Sequence, residues 1–267
     1  MGVNHYENFP VASLLLPPRW RQPVAWIYRF AREADDFADE GTEPDAVRLG
    51  QLERFREQLR KIERGATPDI AWFGALADVI REHRLPVGAF YDLLSAFAQD
   101  VTKQRYADFP EVLDYCRRSA NPVGRLLLHV FGRASEQNLQ WSDAICSALQ
   151  LINFWQDVPI DHARHRVYLP QDEMSRYGVT DRHIAEQRCD EAWRELIRFQ
   201  IGRTRDLMQS GAPLGRALPG RIGLEIRATV QGGLRIIEKI ERARYDVFRQ
   251  RPVLRWYDWP LILARAL

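Results

Sequence analysis

The chain has 267 residues, which is enough to bury a sizeable core in one large domain or two small ones. Hydrophobic residues make up 46% of it and charged residues 28%, the balance of a folded protein rather than a disordered one. The formal net charge of +2 is too balanced to indicate a protein that binds nucleic acid.

Helical periodicity dominates the chain. One apolar stripe, made of Leu52, Phe55 and Leu59, predicts a helix that ends near Gly65. Asp108 followed by Pro110 and Glu111 is typical of a capped helix start, and Thr180 is a second predicted cap. No alternating strand is followed by a hairpin turn and a neighbouring strand. The pattern therefore predicts an all-α fold of about eight or more helices.

A first polar stripe lies on an early predicted helix. Tyr28, Arg32, Asp35 and Asp39 recur at i, i+4, i+7 and i+11, which places them on one helix face. The competing interpretation is a solvated acidic helix end with an ion pair between Arg32 and Asp35. This stretch alone does not decide between a site and a surface.

A second polar stripe consists of Gln150, Asn153, Asp157 and Asp161, at i, i+3, i+7 and i+11. The rest of this helix is mostly apolar, and such a helix is buried. Buried polar side chains without partners cost several kcal/mol each. The stripe therefore predicts a helix that lines a cavity, with a polar network satisfied by other helices as the alternative.

Together the two stripes predict a cation site. Carboxylates that face a common space repel each other unless a cation joins them, and carboxylate ligands without thiolates favour Mg²⁺ over zinc. Pro159 should kink or distort the helix between Asp157 and Asp161. After this helix, Arg164 and Arg166 could neutralise a phosphate leaving group.

These motifs resemble the squalene/phytoene synthase family, the head-to-head branch of the all-α isoprenoid synthases. The resemblance runs from residue 5 to about residue 248. It is strongest in residues 28–39, 115–124, 150–161, 166–170 and 176–180. It implies a single domain over residues 1–267, a helical bundle around a central cavity.

The resemblance also implies roles for individual residues. The metal-site residues, which would hold Mg²⁺ ions that grip a diphosphate, are Asp35, Asp39, Asp157 and Asp161. The positions that contact diphosphate or line the site are Arg32, Gln150, Asn153, Arg166 and Tyr168. Phe9, Tyr28 and Tyr115 are candidates for lining the cavity and stabilising a carbocation with their ring faces. Tyr28 and Tyr168 join the four aspartates as candidate catalytic residues.

Within the family, residues 5–13, 153–157 and 231–234 are most similar to bacterial hydroxysqualene synthases of hopanoid pathways. Such enzymes ionise presqualene diphosphate, rearrange the cyclopropylcarbinyl cation and quench it with water, without NADPH. The resemblance therefore implies a Mg²⁺-dependent carbon–oxygen lyase that acts on a prenyl diphosphate beside neighbouring enzymes of its pathway.

Departures from the wider family pattern also favour a hydroxysqualene synthase. Tyr6 and Asn8 stand where many members have serines, and Gln156 stands where many have arginine. Gly232 and Gly233 stand where many have an aromatic residue in the late helix. Fewer phosphate contacts would suit one diphosphate rather than two, and missing aromatic bulk would admit water to the cation. Both statements are hypotheses.

Two alternatives stay open. The first is a squalene, phytoene, dehydrosqualene or presqualene diphosphate synthase, which condenses two prenyl diphosphates head to head. The second is an inactive helical scaffold of the same fold, against which the retention of all four aspartates speaks. Analysis of the reaction products separates these alternatives.

The location expected from the sequence is the cytoplasm. Cys116, Cys146 and Cys189 are isolated thiols, which favours a reducing compartment. The N-terminal stretch lacks the features of a signal peptide. The tail, residues 256–267, is amphipathic and rich in interfacial aromatics. Peripheral contact with the inner face of the cell membrane and docking on the protein or a second subunit remain alternatives for this tail.

Overall fold

The computed structural model of the chain describes residues 16–38, the backbone of Asp39, and residues 43–249 and 251–267. Throughout these ranges the fold is helical and contains no strand, although an isolated parallel bridge joins Arg105 and Val167. The all-α prediction is confirmed. None of the described helices is both long and apolar enough to cross a membrane.

The helices vary in length from one turn to about six turns. In chain order they are α1 (Pro18–Asp39), α2 (Asp45–Glu63), α3 (Ala71–His83), α4 (Val87–Thr102), α5 (Phe109–Ser119), α6 (Asn121–Val130), α7 (Glu136–Gln156), α8 (Val158–Ala163), α9 (Gln171–Arg176), α10 (Asp181–Ala185), α11 (Glu191–Gly211), α12 (Leu214–Ala217), α13 (Gly220–Arg242), a 3₁₀ turn (Trp256–Asp258) and α14 (Trp259–Ala266).

Side-chain caps fix the start of several helices. Asp108 accepts a hydrogen bond from the backbone N–H of Glu111 (2.9 Å), as the sequence predicts for α5. Asp190 accepts from the backbone N–H of Trp193 (3.1 Å) at the start of α11. Thr180 directly precedes α10, in agreement with the second predicted cap. These caps satisfy backbone donors that the first turn of a helix leaves free.

Two hydrophobic cores fill the molecule. One packs α1 to α4 together and is rich in phenylalanine, with the rings of Phe30 and Phe90 edge to face at 5.0 Å. The other surrounds α7, which packs most extensively against α11. Trp20 and Phe131, whose rings are 5.0 Å apart, pack against both cores. The buried residues of α7 all lie between Ser142 and Gln156, so the polar side chains in this stretch must face other protein groups or a cavity.

The second polar stripe is divided between two helices. The sequence predicts one distorted helix through Asp161, whereas α7 ends at Gln156 and α8 starts at Val158. Pro159 lies in the first turn of α8, where its missing N–H costs nothing. The break leaves Asp157 between the helices, and the backbone N–H of Asp161 still donates to the carbonyl of Asp157 (2.8 Å).

Candidate active site

A cavity of about 1150 Å³ lies between the two cores. Val24 and Ile27 of the α1–α4 core and Ile145 and Phe154 of the α7 core are among its lining residues. The volume exceeds the roughly 300–1000 Å³ of ordinary ligand pockets. The cavity therefore has room for a long ligand.

The cavity is apolar along one part and polar along another. On α1, Val24 precedes Arg32 and Asp35, and on α7, Ile145 precedes Asn153. The charged lining residues of α1 thus lie in its C-terminal half, as does Asn153 of α7. Arg166, which follows α8 and lines the cavity, donates to a backbone carbonyl at the end of α1 (3.3 Å), so the polar ends of the two motifs lie together.

The first stripe points into this polar end. Tyr28, Arg32 and Asp35 all line the cavity. The Arg32 guanidinium lies 2.7 Å from a carboxylate oxygen of Asp36 and 3.7 Å from one of Asp35. The ion pair that the surface interpretation expects is therefore present, and it lies inside the cavity lining.

The second stripe faces the same space. Gln150 and Asn153 of α7, together with Asp157 and Asp161, line the cavity. Arg251 binds Asp157 through two hydrogen bonds, from Nη2 to Oδ2 at 2.8 Å and from Nε to Oδ1. Such a bidentate pair is a strong form of ion pair. The structure thus places a cation from the C-terminal segment directly on the second motif.

Gln156 explains how Arg251 reaches this position. The Gln156 side chain is buried, and its amide nitrogen donates to the backbone carbonyl of Pro252. The residue that replaces arginine in the wider family pattern therefore does not line the cavity. It fixes the segment that carries Arg251, which supplies a guanidinium to the polar end instead.

A buried carboxylate joins two tyrosines on the cavity wall. Asp100 of α4 accepts hydrogen bonds from the hydroxyls of Tyr115 (2.5 Å) and Tyr168 (3.1 Å). The ring of Tyr168 stacks on Phe154 at 3.8 Å. Burial, reinforced by the charge of Asp100, holds the pKa of both tyrosines well above the ordinary value of 10. Both hydroxyls are therefore neutral donors, and the aromatic wall is rigidly oriented.

Three glycines near the cavity have different roles. A Cβ at Gly124 would lie 2.3 Å from the Ser142 hydroxyl, so this glycine lets α6 approach α7 at the cavity wall. Gly232 lines the cavity. Gly233 instead packs into the core, where a Cβ would lie 2.7 Å from Met208. Only Gly232 of the pair can therefore leave space in the cavity for water.

The donor set of the polar end suits Mg²⁺. Among the described side chains, no three acidic, histidine or cysteine groups are close enough together to enclose a metal ion. Mg²⁺ does not need such a cage, because it usually binds one or two carboxylates and completes its shell with water and substrate phosphates. Asp35, Asp157 and Asp161 line one cavity, and Asp157 already binds a cationic group. These carboxylates fit Mg²⁺ bound together with a diphosphate.

The structure brings most of the predicted site residues together. Those that line the cavity are Tyr28, Arg32, Asp35, Tyr115, Gln150, Asn153, Asp157, Asp161, Arg166 and Tyr168. Phe9, with Tyr6 and Asn8, and the side chain of Asp39 lie outside the described part of the chain. Their roles remain predictions, as do the catalytic and binding roles of the residues that line the cavity.

Sequence reasoning missed two residues of the site. Asp100 is a single carboxylate on the otherwise apolar face of α4, and that isolation was the available signal. Arg251 follows Asp157 by 94 residues and lies in no motif. Nothing in the local sequence distinguishes it from the other arginines of the C-terminal region.

Comparisons with known proteins place the chain among relatives of known family. Residues 3–258 match the family described as squalene/phytoene synthase. A hydroxysqualene synthase from Rhodopseudomonas palustris is 37% identical over 237 residues, which cover 88% of this chain and 80% of that protein. Another, from Zymomonas mobilis, is 34% identical over 228 residues, covering 84% of this chain and 76% of that protein.

A solved structure adds to these matches. The crystal structure of squalene synthase HpnC from Alicyclobacillus acidocaldarius is 35% identical, covers 90% of each chain and superposes with a TM-score of 0.83. The agreement extends over both sequence and fold. The chain belongs to the squalene/phytoene synthase family, whose members are enzymes that act on prenyl diphosphates.

Proposed function

We propose that this protein is a hydroxysqualene synthase, which converts presqualene diphosphate and water to hydroxysqualene and diphosphate in hopanoid biosynthesis. The observation that supports this most strongly is a single cavity with carboxylates and arginines at one end and a long apolar remainder. The two relatives named hydroxysqualene synthase support the choice within the family. We place the reaction in the cytoplasm of a bacterium, where isolated thiols remain reduced.

The polar end would bind the diphosphate. Asp35, Asp157 and Asp161, with Asp39 as the expected fourth carboxylate, would hold Mg²⁺. When bound, Mg²⁺ would neutralise charge on the leaving diphosphate. Arg166 lines the same end and would bind phosphate oxygens directly. The carbon–oxygen bond would then break with its electron pair leaving on the diphosphate.

The apolar remainder would hold the hydrocarbon chains and the carbocation. It limits access of bulk water, so the cation can rearrange before it is quenched. The rings of Tyr115, Phe154 and Tyr168 are held in fixed positions and would stabilise positive charge with their faces. A water oxygen then bonds to the rearranged cation, and its proton passes to the released diphosphate. No electron donor is required, so no NADPH is expected.

Incubation of the purified protein with defined substrates tests this proposal. One reaction receives Mg²⁺ and presqualene diphosphate, a second receives Mg²⁺ and farnesyl diphosphate, and both lack NADPH. We expect a C30 alcohol from presqualene diphosphate and no condensed product from farnesyl diphosphate. Efficient condensation of two farnesyl diphosphates would instead assign the protein to the head-to-head synthases. A complete lack of turnover with both substrates would favour the inactive scaffold.

A further inference from the structure

The C-terminal end of the chain presents an exposed apolar surface. Trp256 is 82% exposed and Tyr257 is 51% exposed, and Trp259, Leu261 and Leu263 are exposed as well. We call these five side chains the C-terminal surface. Aromatic rings combined with leucines are typical of protein segments that lie in the interfacial layer of a membrane.

The segment that carries this surface is fixed to α13 by a buried carboxylate, Asp258. Asp258 is completely buried, accepts from Arg235 Nε at 2.8 Å and pairs with Lys239. Burial alone would raise the pKa of Asp258, but hydrogen bonds from Lys239, from the backbone of Arg255 and from Arg235 together hold it below its ordinary value. The carboxylate is therefore charged at neutral pH. The exposed rings belong to a docked element rather than to a loose tail.

The C-terminal surface is continuous with the cavity. Trp259 and Leu263 are both exposed to solvent and part of the cavity lining. Residues 249–267 also contain four arginines and one aspartate. Three of these arginines pair with carboxylates, Arg249 with Asp246, Arg251 with Asp157 and Arg265 with Glu238, whereas Arg255 is exposed beside Trp256 at the edge of the C-terminal surface. Apolar area combined with local positive charge matches the chemistry of an anionic lipid surface.

We propose that the C-terminal surface docks on an anionic phospholipid bilayer and brings the apolar wall of the cavity against the lipid. An apolar substrate or product would then pass between the cavity and the bilayer without crossing bulk water. The docking itself does not depend on which reaction the cavity performs, so it can be tested without an activity assay.

Vesicle flotation of the full-length protein tests the docking. We expect wild-type protein to float with vesicles of equal parts phosphatidylcholine and phosphatidylglycerol, and to float less with phosphatidylcholine alone. Trp256 and Leu261 lie outside the cavity lining. The variant W256S/L261S should lower the partition coefficient by about tenfold or more, because two large side chains no longer enter the lipid. Val47→Ser is the matched control, since Val47 is exposed elsewhere, on α2.

Three results would overturn the docking proposal. The first is wild-type protein that does not float with vesicles containing phosphatidylglycerol. The second is W256S/L261S that floats as well as the wild type. The third is a wild-type dimer, seen by light scattering, that W256S/L261S abolishes while no vesicle binding occurs. That result would assign the C-terminal surface to a second copy of the chain.

A separate observation concerns Ser119 at the end of α5. Its hydroxyl oxygen is buried and has no hydrogen-bond partner among the described residues, and Ser119 lines the cavity. Tyr115, one turn earlier, also lines the cavity, but its hydroxyl donates to Asp100. A buried hydroxyl without a partner is unfavourable, and an ordered water that hydrogen-bonds to it would relieve that cost.

We infer that Ser119 is a positioning residue for the water that quenches the carbocation, an inference that rests on the proposed function. Its hydroxyl would hold the water oxygen so that the lone pair faces the cation. The new carbon–oxygen bond forms there, and the proton leaves to the released diphosphate. Without this contact the cation would more often lose a proton and give a hydrocarbon.

The ratio of C30 alcohol to C30 hydrocarbon, measured per diphosphate released, tests the role of Ser119. Ser119→Ala should lower this ratio by about tenfold, the effect of one lost water contact. Ser119→Thr, which keeps the hydroxyl, should restore it. An unchanged ratio in Ser119→Ala would overturn the role of Ser119 alone. Wild-type protein that makes no alcohol would instead contradict the proposed function.

Discussion

The two aspartate motifs reach the same cavity by different routes. On α1, Asp35 and Asp36 form ion pairs with Arg32, which lies within one turn of the same helix. At the junction of α7 and α8, Asp157 forms an ion pair with Arg251, which lies 94 residues later in the chain. These ion pairs of the first motif therefore lie within one helix turn, whereas the ion pair of the second motif depends on tertiary structure.

The difference suggests how each motif responds to a metal ion. Arg32 can remain near its helix face while carboxylate oxygens of the first motif bind a cation. Arg251 binds both oxygens of Asp157, so a metal ion must compete with it for that carboxylate. The second motif thus couples metal binding to the position of the C-terminal segment.

The largest expected effect comes from removing one carboxylate of each motif. Asp35→Asn and Asp157→Asn should each lower kcat by about a thousandfold, since each removes charge stabilisation of the leaving diphosphate. Circular dichroism should show that both variants keep the helical fold. If one variant keeps a near-normal rate, the motif it belongs to does not take part in catalysis.

A smaller effect, on stability, is expected at the buried carboxylate that joins the tyrosines. Asp100→Asn should lower the free energy of unfolding by about 2–3 kcal/mol, because two hydrogen bonds to a buried charge are weakened. Urea denaturation of the variant and the wild type measures this difference in the free energy of unfolding. Tyr168→Phe removes one of these bonds and should cost less than Asp100→Asn. Equal costs for the two variants would contradict the shared acceptor.

The contrast between the motifs can be measured directly with Mn²⁺ in place of Mg²⁺. Without substrate, Arg251→Gln should bind Mn²⁺ about tenfold more tightly than wild type, because no guanidinium competes for Asp157. Arg32→Gln is the matched variant of the first motif and should change the affinity less. Electron paramagnetic resonance titration reports free Mn²⁺. A larger effect from Arg32→Gln would reverse the assignment of the two motifs.

A still smaller effect is expected at the anchor of the C-terminal segment. Gln156→Ala removes the hydrogen bond to Pro252 and should lower the free energy of unfolding by about 1 kcal/mol. Gln140→Ala, an exposed position on the same helix, is the control and should be nearly neutral. If Gln156→Ala is also neutral, this hydrogen bond does not hold the segment in place.

The smallest effect is expected from alkaline pH. The pKa values of Tyr115 and Tyr168 are raised in the folded protein, so their contribution to stability is fully present below the ordinary tyrosine value of 10 and is lost above it. The rate and the free energy of unfolding should therefore show no tyrosine-linked loss below about pH 10. Spectrophotometric titration of tyrosinate absorbance, with Tyr168→Phe for comparison, measures this.

Sequence periodicity was sufficient for the helical fold and for most of the cavity lining. The stripes through Asp35 and Asn153 depend on the local geometry of one helix, which spacing specifies directly. The end of α7 before Pro159 depends on how the chain packs after Gln156, so the sequence indicated a distortion but not a second helix. Arg251 depends on a long-range contact that no local pattern encodes.

Gly232 and Gly233 also show that the sequence alone does not reveal which side chains face the cavity. The sequence suggested that missing aromatic bulk in this pair opens the site to water. The two positions face in different directions, because one lines the cavity and the other packs against Met208. A test of that hypothesis therefore belongs at Gly232, since a larger side chain at Gly233 would disturb the core.

The proposed function requires that the cavity ionise presqualene diphosphate and add water to the cation. The most direct measurement is the reaction of the purified protein with Mg²⁺ and presqualene diphosphate, without NADPH, in water enriched in oxygen-18. We expect the C30 alcohol to carry the heavy isotope in its hydroxyl group. An alcohol without the label, or a hydrocarbon as the only product, would contradict the account.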